Sequence, residues 1–302
     1  LPWFVAAALA VAAPLPAQTI VSALGAGGWY ADDSRNGLGQ DLVGASSTHF
    51  GKPGQAASSA DDTALAQRLW FDGSSTPPGG RGALHFVVDA QPGFSSKSTI
   101  SKVNTGGFAT ATSLTDSAFS ASYTWTQSPA RNSTSLSFRL GLQTSLYGAA
   151  VGSQTDFTAT RTGESVWDVI LVYVPPTGTA GVWNTTTITA DTVGWKVYFQ
   201  AGNSFWQDHY GLTSASGATG GVRTLAQWAA FDYDPNAPGV QSFLAGASIT
   251  SIQFGLGSST AADGEALLAG FSTTLLPESY AFAAVPEPAG MAMGGAVAAL
   301  IY

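Results

Sequence analysis

The 302-residue sequence has no cysteine and few charged residues. Without thiols it can form neither a disulfide nor a thiolate metal site, so core packing must supply its stability. The 11 Lys and Arg residues are scattered singly, and the formal net charge is −8. Because a phosphate-binding patch needs clustered cations, the sequence excludes nucleic acid as an expected partner.

The signatures of common enzyme classes are also missing. There is no G-x-S-x-G, H-E-x-x-H or Walker motif. Glu164 and Asp168 would share one strand face, but about 13 Å between their Cα atoms exceeds the carboxyl spacing of an inverting glycosidase. The histidines are dispersed and are interpreted as ordinary hydrogen-bonded side chains: His49, His85 and His209. We therefore expect a protein that is not an enzyme.

Hydroxyl side chains supply most of the polarity. Ser and Thr number 64 against 30 charged residues, and 45% of the chain is hydrophobic, which is typical of a folded domain. From residue 83 onward, short segments of alternating polarity are separated by Gly, Pro, Asn and Ser clusters. We expect an all-β fold: a single two-sheet jelly-roll-like antiparallel sandwich over residues 18–276, with about ten to twelve strands and one or two short helices.

Two neighbouring segments show the alternation most clearly. From Ser117 to Gln127, and again from Ser135 to Gln143, apolar side chains occupy one face and polar ones the other. We expect these two to form an antiparallel pair. Residues 166–174 are apolar on nearly all positions of both faces, which places that strand inside a sheet, ended by Pro175 and Pro176. Further strands are predicted at 84–89, 98–103, 107–112, 155–160, 184–190, 194–200, 247–256 and 265–275.

Helix is scarce, and two short helices are predicted. The first begins at Ser59, where a hydroxyl followed by the Asp62 carboxylate is typical of a helix N-terminus. The second covers residues 224–231. The apolar side chains expected to lie on the packed sides of these helices are Leu65, Leu69, Trp70, Leu225, Trp228 and Ala229.

The first 17 residues contain no charged side chain. This composition, with Ala17 before Gln18, predicts an incomplete signal peptide at residues 1–17 that signal peptidase removes during export. A buried N-terminal strand or helix is the alternative, although three prolines suit neither element.

After residue 276 the composition changes again. Residues 277–285 are predicted to be a linker, followed by Pro286, Glu287 and Pro288 and an apolar run at 289–302. The prolines favour an extended segment around Glu287. Because a membrane-spanning helix needs about 20 apolar residues, we expect a truncated transmembrane helix that continues past the end of the sequence. A linker before a buried C-terminal strand is the alternative.

These residues, Val285-Pro286-Glu287-Pro288-Ala289 followed by an apolar run ending MAMGGAVAALIY, resemble the PEP-CTERM sorting signal of Gram-negative bacteria. The resemblance is confined to this C-terminal region. It implies that an exosortase, a membrane-embedded cysteine transpeptidase, recognises Pro286, Glu287 and Pro288. The helix that follows would hold the protein in the inner membrane during sorting. The family's basic cytoplasmic tail is missing here.

A candidate ligand-binding loop contains Trp206, Asp208, His209 and Tyr210. An indole can cover the apolar face of a pyranose while a nearby carboxylate orients its hydroxyls, so this loop is a candidate polysaccharide site. The alternative is that the tryptophans of the chain belong to the sandwich core.

Calcium is the one candidate cofactor. Asp232, Asp234 and Asn236 place oxygen ligands at alternate positions, as a calcium loop does. The sixth position is Ala237 instead of glycine, and no glutamate follows at the twelfth, so this is not an EF-hand. Ordinary turn chemistry is the alternative.

Two functions of different class follow. We expect an exported, non-enzymatic structural or adhesive protein of the cell surface or extracellular matrix, sorted by an exosortase and binding polysaccharide. The alternative is a secreted carbohydrate-active enzyme on a jelly-roll scaffold. An acid pair converging in one cleft favours the enzyme, whereas an aromatic platform without such a pair favours binding.

Overall fold

The computed structural model describes residues 17–23, 25–35, 69–78, 82–88, 97–104, 106–132, 135–144, 169–199, 222–230, 244, 246–257 and 263–283. Within these residues the strands form two sheets of seven. The strands are β1 Gln18–Val21, β2 Trp29–Arg35, β3 Leu69–Asp72, β4 Ala83–Val88, β5 Lys97–Val103, β6 Ala109–Thr110, β7 Ser120–Asn132, β8 Ser137–Thr144, β9 Val169–Tyr173, β10 Asn184–Thr189, β11 Trp195–Phe199, β12 Ala247–Leu256, β13 Gly264–Thr273 and β14 Ser279–Phe282. The helices are α1 Leu225–Ala229 and two 3-10 helices, Ala26–Gly28 and Ala111–Thr115.

The first sheet is built around β13. Strand β7 pairs with β13 in antiparallel register along its length, and β10 lies beyond β7. The opposite side of β13 is shared, because β4 pairs with residues 264–268 and β14 with residues 270–271. Strand β3 follows β4, and β1 pairs with β14 in parallel, a departure from the predicted antiparallel sandwich.

The second sheet has the strand order β11-β9-β8-β12-β5-β2, and the short β6 pairs with β12 beside β5. All five residues of β9 are buried, so its predicted position inside a sheet is confirmed. The strand ends at Tyr173, two residues before Pro175, as the proline pair predicts.

Aromatic rings from both sheets form the core between them. The rings of Phe254 in the second sheet and Phe271 in the first lie 5.0 Å apart, and those of Phe254 and Tyr123 lie 5.2 Å apart. Trp29 packs on Phe282 across the same space at 5.3 Å. All five side chains are buried. The predicted all-β, two-sheet architecture is therefore confirmed.

The predicted antiparallel pair of residues 117–127 and 135–143 is wrong. Strand β7 belongs to the first sheet and β8 to the second. They face each other across the core, where the rings of Tyr123 and Phe138 lie 6.2 Å apart and the Tyr123 hydroxyl donates to the carbonyl of Leu136 at 3.2 Å. Alternation shows that one face of a strand is buried, but it does not show in which sheet the strand lies. Two alternating segments that follow each other in the chain can therefore pair within one sheet or face each other from two sheets.

The helix predicted from Ser59 cannot extend to Leu69 and Trp70. These two residues belong to β3, paired with Phe86 and His85 of β4. A short helix is marginal because its nucleation is costly, whereas pairing with β4 holds these residues in a strand. The start of that prediction, at residues 59–62, lies outside the described residues, as does the strand predicted at 155–160.

The second predicted helix is confirmed as α1. Thr224 accepts a hydrogen bond from the backbone of Gln227 at 3.0 Å, and the Gln227 side chain accepts one from the Thr224 backbone at 2.9 Å. This capping box satisfies two otherwise unpaired N–H groups. Leu225 and Trp228 are buried against the sandwich, as predicted.

The predicted linker at 277–285 is also corrected, since β14 occupies residues 279–282. Tyr280 and Phe282 are buried in the core. Pro277, at the start of this segment, lies in the turn before β14, and the sheet continues beyond that turn. Among the described residues, no helix is long and apolar enough to span a membrane.

Candidate functional site

The sites proposed from the sequence lie outside the described residues. These are the sorting tripeptide Pro286, Glu287 and Pro288, the loop residues Trp206, Asp208, His209 and Tyr210, and the calcium candidates Asp232, Asp234 and Asn236. Within the described part of the chain, no three His, Cys, Asp or Glu residues come close enough together to hold a metal ion.

The structure instead shows a cleft of about 260 Å³ on the outer face of the first sheet. Its floor crosses three neighbouring strands, because His85 of β4 is paired with Leu267 of β13, which is paired with Thr126 of β7. The residues that line it are Asp72, Ser75, Thr76, His85, Thr126, Gln127, Ser128, Pro129, Gly181, Trp183, Glu265 and Leu267. The strand alternation that buries Leu84 and Phe86 in the core directs His85 outward.

An ionisable pair lies on the floor. Nε2 of His85 is 2.6 Å from Oε1 of Glu265. The Trp70 ring covers the imidazole, with the ring centroids 4.1 Å apart. Only 9% of His85 is exposed, and its Nδ1 has no hydrogen-bond partner among the described residues.

Burial lowers the pKa of His85 below its usual value, although the charges of Glu265 and Asp72 act to raise it. The imidazole is therefore neutral near pH 7. Glu265 is the group that would stabilise an added proton, at low pH, on the ring nitrogen that faces it.

Asp72 holds the turn that forms one wall. Its carboxylate accepts hydrogen bonds from the backbone of Ser74 at 2.8 Å, from the Ser74 hydroxyl at 2.6 Å and from the Ser75 hydroxyl. Partial burial opposes ionisation, but these bonds outweigh it and lower the pKa of Asp72. The carboxylate is therefore charged and its oxygens are largely occupied.

The opposite wall is the segment that leads into β10. The backbone of Gly181 donates to the carbonyl of Gln127 at 2.7 Å, which fixes this segment against the end of β7. Gly181 has a φ of +77° and packs closely on Pro129, so a Cβ would be strained and only 3.2 Å from the proline ring. Trp183, two residues later, is half-buried and lines the cleft.

This arrangement can bind a small, uncharged, hydroxyl-rich group. The Trp183 side chain supplies an apolar surface, and Glu265, Ser75 and Thr76 supply hydrogen-bonding groups beside it. Among the described residues that line the cleft there is no Lys or Arg. An anionic ligand would therefore meet carboxylates without a neutralising partner.

In the sequence, His85 is one of three dispersed histidines, and Glu265 is the first residue of the strand predicted at 265–275. They lie 180 positions apart in the sequence, and each was correctly placed in or beside a predicted strand. The outward direction of His85 was available from the alternation Leu84-His85-Phe86. The pairing of β4 with β13, which brings the two side chains together, has no local signal.

No family model matches this sequence, and no curated protein or solved structure matches it. The fold and the cleft define a class in structural terms: an all-β protein of two packed sheets with a small polar cleft on an outer sheet face.

Proposed function

We propose that this protein is an exported, non-enzymatic module that binds polysaccharide, on a jelly-roll-like scaffold, at the cell surface or in the extracellular matrix. The observation that carries the proposal is the convergence of Trp183 with the carboxylate and hydroxyl groups of one surface cleft. Sugar rings combine an apolar face with peripheral hydroxyls, and this set of groups complements both.

The volume of the cleft limits what it encloses. About 260 Å³ is smaller than the roughly 300–1,000 Å³ of sites that enclose a drug-sized molecule. The cleft therefore has room for about one sugar ring. A module that holds a polymer at its surface is expected to enclose only a short part of that polymer. The lining carboxylates favour a neutral polysaccharide over an anionic one.

One observation favours the alternative, a secreted carbohydrate-active enzyme. Asp72 and Glu265 line the same cleft, and glycosidases use two carboxyl groups. Hydrogen bonds from Ser74 and Ser75 keep the pKa of Asp72 low, so Asp72 cannot be the general acid near neutral pH. The same bonds occupy both of its carboxylate oxygens, so Asp72 is also a poor base or nucleophile. The binding function is therefore the stronger proposal.

The proposal includes export and sorting. Signal peptidase would cut between Ala17 and Gln18, and an exosortase would act at Pro286, Glu287 and Pro288. Strand β1 begins at Gln18 and β14 ends at Phe282. Both proposed steps would thus leave strands β1 and β14 whole, with the loss of one hydrogen bond, from the Ser279 backbone to the Ala17 carbonyl. This supports a folded product released from the membrane. Calcium at Asp232, Asp234 and Asn236 is a separate proposal.

Affinity electrophoresis tests the binding proposal. The protein is run in gels containing hydroxyethylcellulose, galactomannan, arabinoxylan or alginate. We expect retardation by at least one neutral polymer, none by alginate, and loss of retardation in Trp183→Ala. Val193→Ala is the matched control, because Val193 is 64% exposed and does not line the cleft.

The same gels locate the site. If Trp206→Ala abolishes retardation and Trp183→Ala does not, the loop predicted from the sequence binds the polymer and the cleft does not. If no gel retards the wild-type protein, the binding function is wrong.

A further inference from the structure

Beyond the cleft, the outer face of β10 and β7 carries only hydroxyl side chains. The pairs are Thr185 with Thr124, Thr187 with Ser122 and Thr189 with Ser120. Residues opposite each other in an antiparallel pair share a face, and Ser272 of β13 extends the middle pair. We call these seven residues the hydroxyl ladder: Ser120, Ser122, Thr124, Thr185, Thr187, Thr189 and Ser272.

The ladder is regular and is most exposed along β10, since Ser120, Ser122 and Thr124 of β7 are half-buried. Thr185, Thr187 and Thr189 are exposed, whereas the alternate residue Ile188 is fully buried in the core. Successive pairs lie about 6.6 Å apart along the strands, and neighbouring strands about 4.8 Å apart. Three pairs therefore present a grid of hydroxyls about 13 Å long with no charged side chain on it.

The hydroxyls keep capacity for a ligand. Thr124 and Thr185 share one hydrogen bond at 3.3 Å, and Thr189 shares one with Thr192 at 3.2 Å. A hydroxyl can donate one bond and accept two, so each of these side chains can still bond outward. The inward Thr186 differs, since its hydroxyl accepts a bond from the Trp125 indole at 2.8 Å.

The ladder begins where the cleft ends. Thr126 on the cleft floor is two residues from Thr124 on the same face of β7, and Trp183 directly precedes β10. A chain with one ring in the cleft would reach the ladder without leaving the sheet surface. Because the ladder is uncharged and the protein carries a net charge of −8, it suits a neutral chain.

We propose that the hydroxyl ladder is an extended subsite that binds consecutive residues of a neutral, unbranched polysaccharide whose end or internal ring occupies the cleft. This inference rests on the proposed function and adds to it an unbranched polymer and the path of that polymer across the sheet. Each added residue gains hydrogen bonds to one or two ladder hydroxyls, so affinity rises with chain length until the ladder is covered.

Calorimetric titration with oligosaccharides of two and eight residues from β-linked glucan, xylan and mannan tests the inference. For at least one of the three, we expect the eight-residue chain to bind more than tenfold more tightly than the two-residue chain. Thr185→Val/Thr187→Val removes two of the seven ladder hydroxyls, so this ratio falls at least threefold, while two-residue binding is unchanged. Thr110→Val/Thr112→Val, exposed threonines near β6 in the other sheet, keeps the wild-type ratio.

The outcomes separate the two proposals. Two results overturn the ladder inference and leave the cleft function standing, provided that two-residue binding depends on Trp183. The first is an affinity ratio of about one in the wild-type protein. The second is an affinity ratio in the valine variant equal to that of the wild-type protein. If no oligosaccharide binds, or Trp183→Ala binds them all normally, both are overturned. Valine has nearly the shape of threonine and favours strands, so we expect the valine variant to fold. An unchanged thermal transition checks this.

Discussion

His85 shows how one residue can carry a pH response that its sequence neighbours do not reveal. In the unfolded chain its pKa is about 6.5, whereas burial lowers the pKa in the folded protein. As the pH falls below about 6.5, the unfolded chain binds the proton first, so the free energy of unfolding decreases. The stability that a neutral His85 contributes is fully present above a pH of about 6.5. It is lost as the pH falls through the folded-state pKa of His85.

We expect His85→Gln to lose less stability than the wild-type protein between pH 7 and pH 5, because it has no proton to take up. Glu265→Gln should lose more, because the Glu265 charge raises the pKa of His85 and its removal leaves the imidazole harder to protonate in the folded state. Urea unfolding at several pH values measures both. An equal pH dependence in His85→Gln and the wild-type protein would contradict this assignment.

At the scale of elements, the chain passes repeatedly from one sheet to the other. Strand β10 lies in the first sheet and β11 in the second, and Gly194 is the last residue before β11. Its φ of +140° is unusual for other residues, and a Cβ there would be 2.6 Å from the Tyr173 ring. The tight approach lets Trp195 pair with Tyr173, and the Trp195 carbonyl accepts a hydrogen bond from the Trp228 indole of α1 at 3.0 Å.

Gly194→Ala should therefore lower the free energy of unfolding by about 1–3 kcal/mol, through overpacking against Tyr173 together with backbone strain. Gly106→Ala is the matched control, since the nearest atom to its Cβ is a side-chain oxygen at 3.5 Å and its φ is ordinary. Chemical denaturation of the two variants gives the comparison. A loss in Gly194→Ala no larger than in Gly106→Ala would show that the Tyr173 contact does not limit this position.

At the scale of the whole molecule, the first and last described strands join. Strands β1 and β14 pair in parallel, and the Ala283 backbone donates to the Val21 carbonyl at 2.9 Å. The hydroxyls of Thr19 and Tyr280 both donate to Glu278 and lower its pKa. The two ends of the described chain therefore depend on each other for their place in the sheet.

Val21→Ala should lower the free energy of unfolding by about 2 kcal/mol, because Val21 is fully buried in the core. The adjacent Ile20→Ala should change it by less than about 0.5 kcal/mol, since Ile20 points to the other face and is 45% exposed. The urea concentrations at the midpoints of unfolding of the two variants measure the two losses of stability. Equal losses would mean that β1 does not contribute to the cooperative core.

Much of the secondary structure could be predicted because it has a local cause. The strand at Ala247–Leu256 and the helix near Thr224 follow from alternation and from helix-start chemistry. Strands β1, β2, β3 and β14 were not predicted. Three of them have only four residues, too few positions for an alternation to be recognised, and the seven residues of β2, WYADDSR, do not alternate in polarity. Their partners, and not their own sequences, decide that they are strands.

The candidate cleft could not be predicted for a related reason. Trp183, His85 and Glu265 come from distant segments, and each is unremarkable among its own neighbours. Local patterns indicate dense clusters instead, such as Trp206 to Tyr210, because proximity along the chain is the only proximity that a sequence displays.

The amino-acid sequence by itself determined the all-β class and the dependence of this cysteine-free chain on core packing, since polarity alternation and composition are local properties. The tertiary structure alone decided that β7 and β8 face each other across the core, that residues 279–282 complete a sheet, and that His85 meets Glu265. These three arrangements depend on which strands become neighbours. Strand pairing is set by the burial of apolar area over the entire chain, so no single segment encodes the pairing.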